Sequence, residues 1–167
     1  ANPDQDDFKG PLLFSRSPQL LENLPGNLGF ATALNFVGDA APDLLIGANL
    51  PLAYRNNNAT FSPDPSSNFV LPAPFTISDA TFADWDNNSH PDLVLSGTQT
   101  LLLHNDGAGT WTPSGPPLPP SQRSIFADVD HDGDLDLLAL EETSARLLAN
   151  DGTGIFDDIS TDRKSVV

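Results

Sequence analysis

The chain has no cysteine and no methionine among its 167 residues, and it carries only 7 basic side chains against 23 acidic ones. Without cysteine it can form neither disulfides nor thiolate metal sites. The net charge of −16 argues against binding to nucleic acid, because such binding needs cations that face the phosphate backbone. No stretch approaches the roughly 20 apolar residues of a membrane-spanning helix, so no membrane span is predicted.

Helical patterning is also scarce. No apolar pattern with the helical repeat extends beyond about two turns, and residues 18–24 are the best helical candidate. Because the chain starts at Ala1 and lacks methionine, we expect a processed or trimmed polypeptide and not a primary translation product. At 167 residues the chain can still bury a substantial core.

What the chain does contain is a run of acidic residues at alternating positions. Residues 128–136 read Asp-Val-Asp-His-Asp-Gly-Asp-Leu-Asp, and an apolar run follows at once. Because alternate side chains of a tight loop can converge on one point, several of these oxygens can share a hard cation, with a backbone carbonyl completing the cage. Ca²⁺ takes about six to eight such oxygen ligands, and Gly133 permits the sharp turn that they require. The predicted ligands are Asp128, Asp130, Asp132, Asp134 and Asp136.

The same pattern occurs twice more, 44 residues before this loop and a further 49 residues before that. Residues 84–92 again place oxygen-bearing side chains at the first, third, fifth and ninth positions. Residues 35–43 form a degenerate copy, with Val37 at the third position and Ala40 where a glycine is expected. The second site is predicted to include Asp84, Asp86, Asn88, His90 and Asp92. The degenerate loop is expected to bind no metal, although it retains Asn35, Asp39 and Asp43.

Each acidic loop belongs to a longer repeat. An apolar strand enters the loop, a second apolar strand leaves it, and the unit ends in a polar turn followed by Phe61, Trp111 or Phe156. A period of 44 to 49 residues is the length of one propeller blade. The inner strands are almost continuously apolar, which favours burial of both of their faces, as happens when blades pack face to face.

These repeats resemble the FG-GAP/VCBS repeats, the family that includes the blades of the integrin alpha propeller. The resemblance rests on Phe-Ala-Asp at 82–84 and 126–128, the acidic loop at 128–136, and the Asn-Asp-Gly-x-Gly-x-aromatic hairpins at 105–111 and 150–156. It covers roughly residues 28 to 160 and implies four-stranded antiparallel blades, with Ca²⁺ in the loop between the first two strands. It assigns two Ca²⁺ sites: Asp128, Asp130, Asp132 and Asp136, and Asp84, Asp86, Asn88 and Asp92.

We therefore predict an all-β fold of about three four-stranded antiparallel β-propeller blades, either a partial propeller or part of a larger one. The blades are expected at residues 28–65, 75–115 and 121–160. Residues 1–27 would form an N-terminal segment with the outer strand of a preceding blade, and residues 161–167 a tail. Because closed propellers have about four to eight blades, additional blades or a protein partner must cover the open blade faces.

Other interpretations of these residues meet obstacles. An EF-hand needs a glutamate at the twelfth loop position and flanking helices, but those positions hold Leu95 and Ala139 and the flanks are rich in β-formers. Paired carboxylates can act as general acid and base, but here they lie in one short loop and not across a cleft. No nucleophile or phosphate-binding motif is present, so no enzyme activity is predicted. Trp85 and Trp111 are expected to pack in the core, and His104 to be a structural histidine.

Together these features predict a non-catalytic, calcium-binding β-propeller module for structural support, or for protein–protein interaction and adhesion. Because weak Ca²⁺ sites are typical of extracellular modules, a secreted, periplasmic or cell-surface location is expected. Two alternatives stay open. One is a lectin-like propeller that binds a glycan, and the other is an accessory subunit of a larger complex whose partner buries the open blade faces.

Overall fold

The computed structural model describes residues 28–35, 41–47, 51–57, 60–64, 68–69, 71–72, 74–107 and 110–160. Within these ranges the chain forms β-strands and no helix. The segments predicted at 1–27 and 161–167, including the helical candidate at 18–24, lie outside the described residues, as do residues 36–40 of the degenerate loop. In the described part of the chain, no helix is long and apolar enough to cross a membrane.

The strands form three sheets, each built from strands that follow one another along the chain. Blade 1 contains β1 (Phe30–Leu34), β2 (Asp43–Gly47), β3 (Pro51–Asn57) and β4 (Thr60–Pro63). Blade 2 contains the short edge strand β5 (Asn68–Phe69) and four further strands, which are counted as its first to fourth: β6 (Ile77–Ala83), β7 (Asp92–Gly97), β8 (Leu101–Asn105) and β9 (Thr110–Pro113). Blade 3 contains β10 (Arg123–Ala127), β11 (Asp136–Leu140), β12 (Ala145–Asn150) and β13 (Phe156–Asp158).

The predicted all-β architecture of three four-stranded antiparallel blades is confirmed. In every blade the four main strands pair antiparallel in chain order, and the short β5 adds a parallel pair to β9 at the edge of blade 2. In the described part of the chain, strand β5 pairs through Asn68 and Phe69, and the ring of Phe69 stacks on that of Trp111 at 5.6 Å. The sequence did not predict this extra strand, because two residues carry no detectable periodicity.

Turn residues end the third strands of blades 2 and 3 in the same way. Gly107 and Gly152 both have φ of +78°, a conformation that glycine adopts without steric cost. The side-chain oxygens of Asn105 and Asn150 accept the backbone N–H groups of these glycines, at 3.0 and 3.3 Å. The Asn-Asp-Gly sequence therefore turns the chain from β8 into β9 and from β12 into β13.

The middle blade is buried on both faces. In β7, Leu93 and Leu95 belong to an apolar cluster shared with blade 1, whereas Val94 belongs to a cluster shared with blade 3. All three side chains are 0% exposed. Because successive side chains of a strand point to opposite faces of its sheet, one continuous apolar run supplies both clusters.

The first strands of the blades lie next to one another, with β6 between β1 and β10. The Ser78 hydroxyl donates to the carbonyl of Gln122 at 2.9 Å, and the buried hydroxyls of Ser96 and Ser124 are hydrogen-bonded at 2.9 Å. The sheets therefore pack face to face with their first strands together, which is the arrangement of propeller blades.

Trp85 fills the contact between blade 2 and blade 3. It is only 1% exposed, and its ring centroid lies 5.8 Å from that of Phe126 and 5.7 Å, edge to face, from that of Phe156. Its backbone carbonyl accepts a hydrogen bond from the side-chain amide of Asn150 at 2.8 Å. Because Trp85 is the second residue of the 84–92 loop, this packing fixes that loop against blade 3.

Candidate metal centres

One buried aspartate begins the second strand of every blade: Asp43, Asp92 and Asp136 are 0%, 0% and 1% exposed. In each case Oδ1 accepts the backbone N–H of an asparagine near the end of the third strand, at 2.8, 2.8 and 2.9 Å. The donors are Asn56, Asn105 and Asn150, in the same order. A buried carboxylate is tolerated only when hydrogen bonds replace its lost hydration, so this pairing is a structural requirement.

In blades 2 and 3, the second oxygen of this buried carboxylate fixes the start of the acidic loop. Oδ2 of Asp92 accepts the backbone N–H of Trp85 at 3.2 Å, and Oδ2 of Asp136 accepts that of Val129 at 2.9 Å. A single side chain therefore joins the second residue of the loop to the end of the third strand. The ninth loop position therefore has a structural role in blades 2 and 3.

Three carboxylates converge in the 128–136 loop. Asp128, Asp130 and Asp136 each offer an oxygen within 4.8 Å of the others. Among the described residues, Oδ1 of Asp128 is buried and accepts no hydrogen bond. Loss of hydration, followed by the negative charges of Asp132 and Asp136, raises the pKa of Asp130 above its ordinary value. A cation at this point would relieve the mutual repulsion and give the buried oxygen a partner.

The other two predicted ligands of this loop are not members of this group of three, although the backbone N–H of Asp132 donates to Oδ1 of Asp130 at 3.3 Å. Asp132 is exposed, and its Oδ1 accepts the backbone N–H of Asp134 at 2.9 Å. The Asp134 carboxylate lies against Gly152, where an added Cβ would be 2.4 Å from Oδ2. Its Oδ1 is also 3.5 Å from the side-chain amide of Asn87 in blade 2. The structure thus brings together three of the five residues predicted for this site.

The 84–92 loop divides its acidic residues differently. Both oxygens of Asp84 accept backbone N–H groups of the loop itself, from Asn88 at 2.9 Å and from Ser89 at 2.8 Å. Asp86 and Asp92 instead converge with His104, whose Nδ1 is 3.1 Å from Oδ2 of Asp86 and 3.2 Å from Oδ1 of Asp92. Asp84 therefore shapes the loop, while Asp86 and Asp92 face a shared point.

Asn88 and His90, the remaining predicted ligands, contact other groups. The Asn88 side-chain amide donates to Oδ2 of Asp86 and to the carbonyl of Asn105, both at 3.2 Å, and its Oδ1 accepts the backbone N–H of His90. The exposed His90 ring lies against Gly107, where an added Cβ would be 2.5 Å from Nε2. His90 therefore lies outside the group that Asp86 forms with Asp92 and His104.

His104 is predicted from the sequence to be a structural histidine, and the structure places it beside Asp86 and Asp92. It precedes Asn105, whose backbone N–H bonds to Asp92, so strand register alone places it beside the loop. The signal was present in the sequence as a polar residue within an apolar strand. Recognising it required the pairing of β7 with β8, which loop spacing does not reveal.

The carboxyl of Asp92 has an unusual electrostatic environment. Burial, with a contribution from the negative charge of Asp86, raises its pKa to about 6, although the N–H groups of Asn105 and Trp85 and the nearby His104 oppose the shift. Keeping Asp92 ionised therefore costs free energy, and a cation between Asp86 and Asp92 would reduce that cost.

The two acidic loops are joined by hydrogen bonds across the blade interface. Asn150 donates its backbone N–H to Asp136 and its side-chain amide to the carbonyl of Trp85, whose own N–H reaches Asp92. The equivalent asparagine amides of blades 1 and 2 donate within their own blades, to the carbonyls of Pro42 and Pro91. A continuous path therefore links the buried carboxylates of blades 2 and 3.

Blade 1 is only partly described at its degenerate loop. Asp43 makes the same hydrogen bond to Asn56 as its counterparts make in the other blades, and Asn35 follows the end of β1. Asp39 lies outside the described residues, so the absence of a metal site there stays a prediction.

No protein-family model matches this chain, and no curated protein matches it. Among solved structures it is similar to a lectin of Agrocybe aegerita, which is described as specifically recognising non-reducing terminal N-acetylglucosamine. The TM-score is 0.53 and the identity is 19%, and the match covers 82% of this chain and 40% of the lectin. The chain therefore spans well under half the length of that protein. At this identity the likeness concerns the fold, and it agrees with the propeller-like packing of the three blades.

The backbones of the two acidic loops share positive φ angles at two positions. In both, the fourth and sixth residues have positive φ: 57° and 72° for Asn87 and Ser89, and 65° and 99° for His131 and Gly133. At the sixth position blade 3 has glycine, whereas blade 2 holds a serine in a conformation that side chains disfavour.

Exchanging the residues at this sixth position should change stability in opposite directions. We expect Ser89→Gly to raise the free energy of unfolding by roughly 0.5–1 kcal/mol, because glycine relieves the left-handed strain. Gly133→Ala should lower it by about 1–2 kcal/mol. An added Cβ at Gly133 meets nothing within 4 Å, so the cost is conformational. Urea denaturation in chelator measures both, and a destabilising Ser89→Gly would contradict the claim that Ser89 is strained in this conformation.

Proposed function

We propose that this chain is a non-catalytic, calcium-binding β-propeller module for structural support or for protein–protein interaction and adhesion. The observation that carries the proposal is the group formed by Asp128, Asp130 and Asp136, in which a buried oxygen of Asp128 accepts no hydrogen bond among the described residues. Ca²⁺ prefers carboxylate and carbonyl oxygens, so the donor set fits this ion.

The repeat family is part of this proposal. The Asp-x-Asp-x-Asp-Gly-x-x-Asp sequence at 128–136 lies between the first and second strands of blade 3, where FG-GAP/VCBS repeats are expected to bind Ca²⁺. The loop at 84–92 has the equivalent place in blade 2. We propose a location outside the cytosol, because modules with weak Ca²⁺ sites function where the ion is abundant.

The benefit of the ion would be stability. A cation that binds the folded loop and not the unfolded chain adds about 2.7–4.1 kcal/mol at 100 to 1,000 times its dissociation constant. In this chain Asp136 is joined through Asn150 to Trp85 of blade 2, so ordering the blade-3 loop also secures the contact between the blades. No step of covalent chemistry is needed for this role.

Calcium should stabilise the protein through Asp130. Asp130→Asn keeps the shape of the side chain but removes a charged ligand, so it should weaken Ca²⁺ binding and lower the melting temperature only when Ca²⁺ is present. Calorimetric titration and thermal melts in Ca²⁺ and in chelator measure this.

The matched control is Asp157→Asn, which removes one exposed carboxylate on β13, outside both loops, and should leave Ca²⁺ binding unchanged. An Asp130→Asn melt that is lowered equally in chelator would show that the residue acts through hydrogen bonds. Absence of Ca²⁺ binding by the unaltered protein would refute the proposal itself.

The partner side of the proposal rests on the open face of blade 3. Ile125, Leu138 and Leu147 form a cross-strand row there, and Ile125 is 51% exposed. Strand register makes Leu138 and Leu147 equivalent to Val94 and Leu102 of blade 2, which are buried against blade 3. The face is therefore built like one that packs on a following blade, and a second copy of this chain can supply that blade.

Self-association should depend on this row. In sedimentation analysis we expect a species heavier than the 17.7 kDa chain, and Ile125→Lys should shift it toward the monomer. Ile155→Lys is the control, because Ile155 is 61% exposed but lies in the hairpin that precedes β13. A protein that stays monomeric at every concentration would count against a second copy on this face.

Carbohydrate binding is the second candidate, favoured by the fold likeness to the lectin. A cavity of about 250 Å³ lies where Phe156 and Ile155 of blade 3 meet Leu102 and the segment with Ser114 and Leu118. Its mostly apolar lining with few polar groups is typical of sites for small ligands.

We place glycan binding in this cavity. The protein should then bind glycans that end in a non-reducing N-acetylglucosamine on an array, and Ser114→Trp, which fills the cavity, should abolish the signal. Thr112→Trp, at an exposed position of β9, should preserve it. An array without any selective signal would leave the lectin alternative without support.

A further inference from the structure

Three side chains from separate parts of blade 2 face one another. Asp86 comes from the loop, Asp92 begins β7, and His104 lies on β8. Nδ1 of His104 is 3.1 Å from Oδ2 of Asp86 and 3.2 Å from Oδ1 of Asp92. The Asp92 side chain is 0% exposed, while that of His104 is 34% exposed, so the group lies at the edge of the protein with a buried floor.

We propose that this group binds a divalent transition-metal ion of the first row, such as Zn²⁺ or Co²⁺, through the imidazole of His104 and the carboxylates of Asp86 and Asp92. The two acidic loops would then bind different metals, Ca²⁺ in blade 3 and an ion that prefers a nitrogen ligand in blade 2. This inference rests on the proposed function in one respect, namely that the loops bind metal.

The donor set separates the two classes of ion. Imidazole suits Zn²⁺ and its neighbours, whereas Ca²⁺ takes oxygen ligands alone. The observed spacing also fits, because two ligands that each lie about 2.0–2.1 Å from a tetrahedral ion are roughly 3.3 Å apart. The distances from Nδ1 to the two oxygens, 3.1 and 3.2 Å, are close to that value.

The floor of the group is rigidly held. Asp92 is fixed by the backbone N–H groups of Trp85 and Asn105, and His104 directly precedes Asn105 on the same strand. Such outer contacts orient ligands and contribute to metal affinity. Only Asp86 comes from the loop, and the amide of Asn88 donates to it at 3.2 Å.

Blade 2 differs from the other two blades in the residues around this group. The residue before the paired asparagine is Arg55 in blade 1, His104 in blade 2 and Ala149 in blade 3. Blade 2 also has neutral Asn88 where blade 3 has Asp132, and both oxygens of its Asp84 already accept loop N–H groups. Blade 2 therefore offers fewer charged oxygens than blade 3, and one nitrogen in addition.

Titration of the metal-free protein with Co²⁺ tests the inference, because the visible absorption of Co²⁺ reports its ligands. We expect one Co²⁺ to bind per chain, and His104→Ala to weaken it at least about tenfold while Ca²⁺ affinity stays unchanged. The chain has two other histidines, and His90→Ala and His131→Ala should leave Co²⁺ binding as it is. Asp130→Asn should weaken Ca²⁺ and spare Co²⁺.

The outcomes separate the two proposals. If Co²⁺ binding is absent or does not depend on His104 while Ca²⁺ still binds through Asp130, only this inference fails, and His104 is a hydrogen-bond partner of the two carboxylates. If Ca²⁺ does not bind but Co²⁺ binds through His104, the calcium module fails and this centre stands.

Discussion

The structure depends on a buried carboxylate that accepts two backbone N–H groups. Asp92 and Asp136 each receive one from the second residue of an acidic loop and one from the asparagine near the end of a third strand. Breaking such a pair would leave buried donors unsatisfied, at a cost of about 1–3 kcal/mol each. The loop, the second strand and the third strand of a blade are therefore held as one unit by a single side chain.

This constraint explains why the acidic loops vary while their last residue does not. In the degenerate loop of blade 1, Val37 and Ala40 replace the residues expected at a metal site, yet Asp43 still bonds to Asn56. The other acidic positions are not held in this way, and the groups that they form differ between blades 2 and 3. Blade 3 gathers carboxylates alone, and blade 2 brings two carboxylates to a histidine.

The fold was predictable because the features that specify it are local and repeated. Apolar runs such as Leu93 to Leu95 give strands, Asn-Asp-Gly gives the hairpins, and the period gives the blades. The site was less predictable, because loop spacing says which oxygens can converge but not what else they contact. Asp84 accepts loop N–H groups, Asp134 turns toward Gly152, and His104 joins through strand register.

Asp43 allows the most direct test, because the degenerate loop before it is predicted to bind no metal, and yet Asp43 accepts the backbone N–H of Asn56 as its counterparts do in the other blades. The measurement is the free energy of unfolding of Asp43→Ala in chelator, compared with the unaltered chain. We expect a loss of about 1–3 kcal/mol, since the backbone N–H of Asn56 loses its acceptor. A loss below about 0.5 kcal/mol, the range of ordinary surface changes, would contradict it.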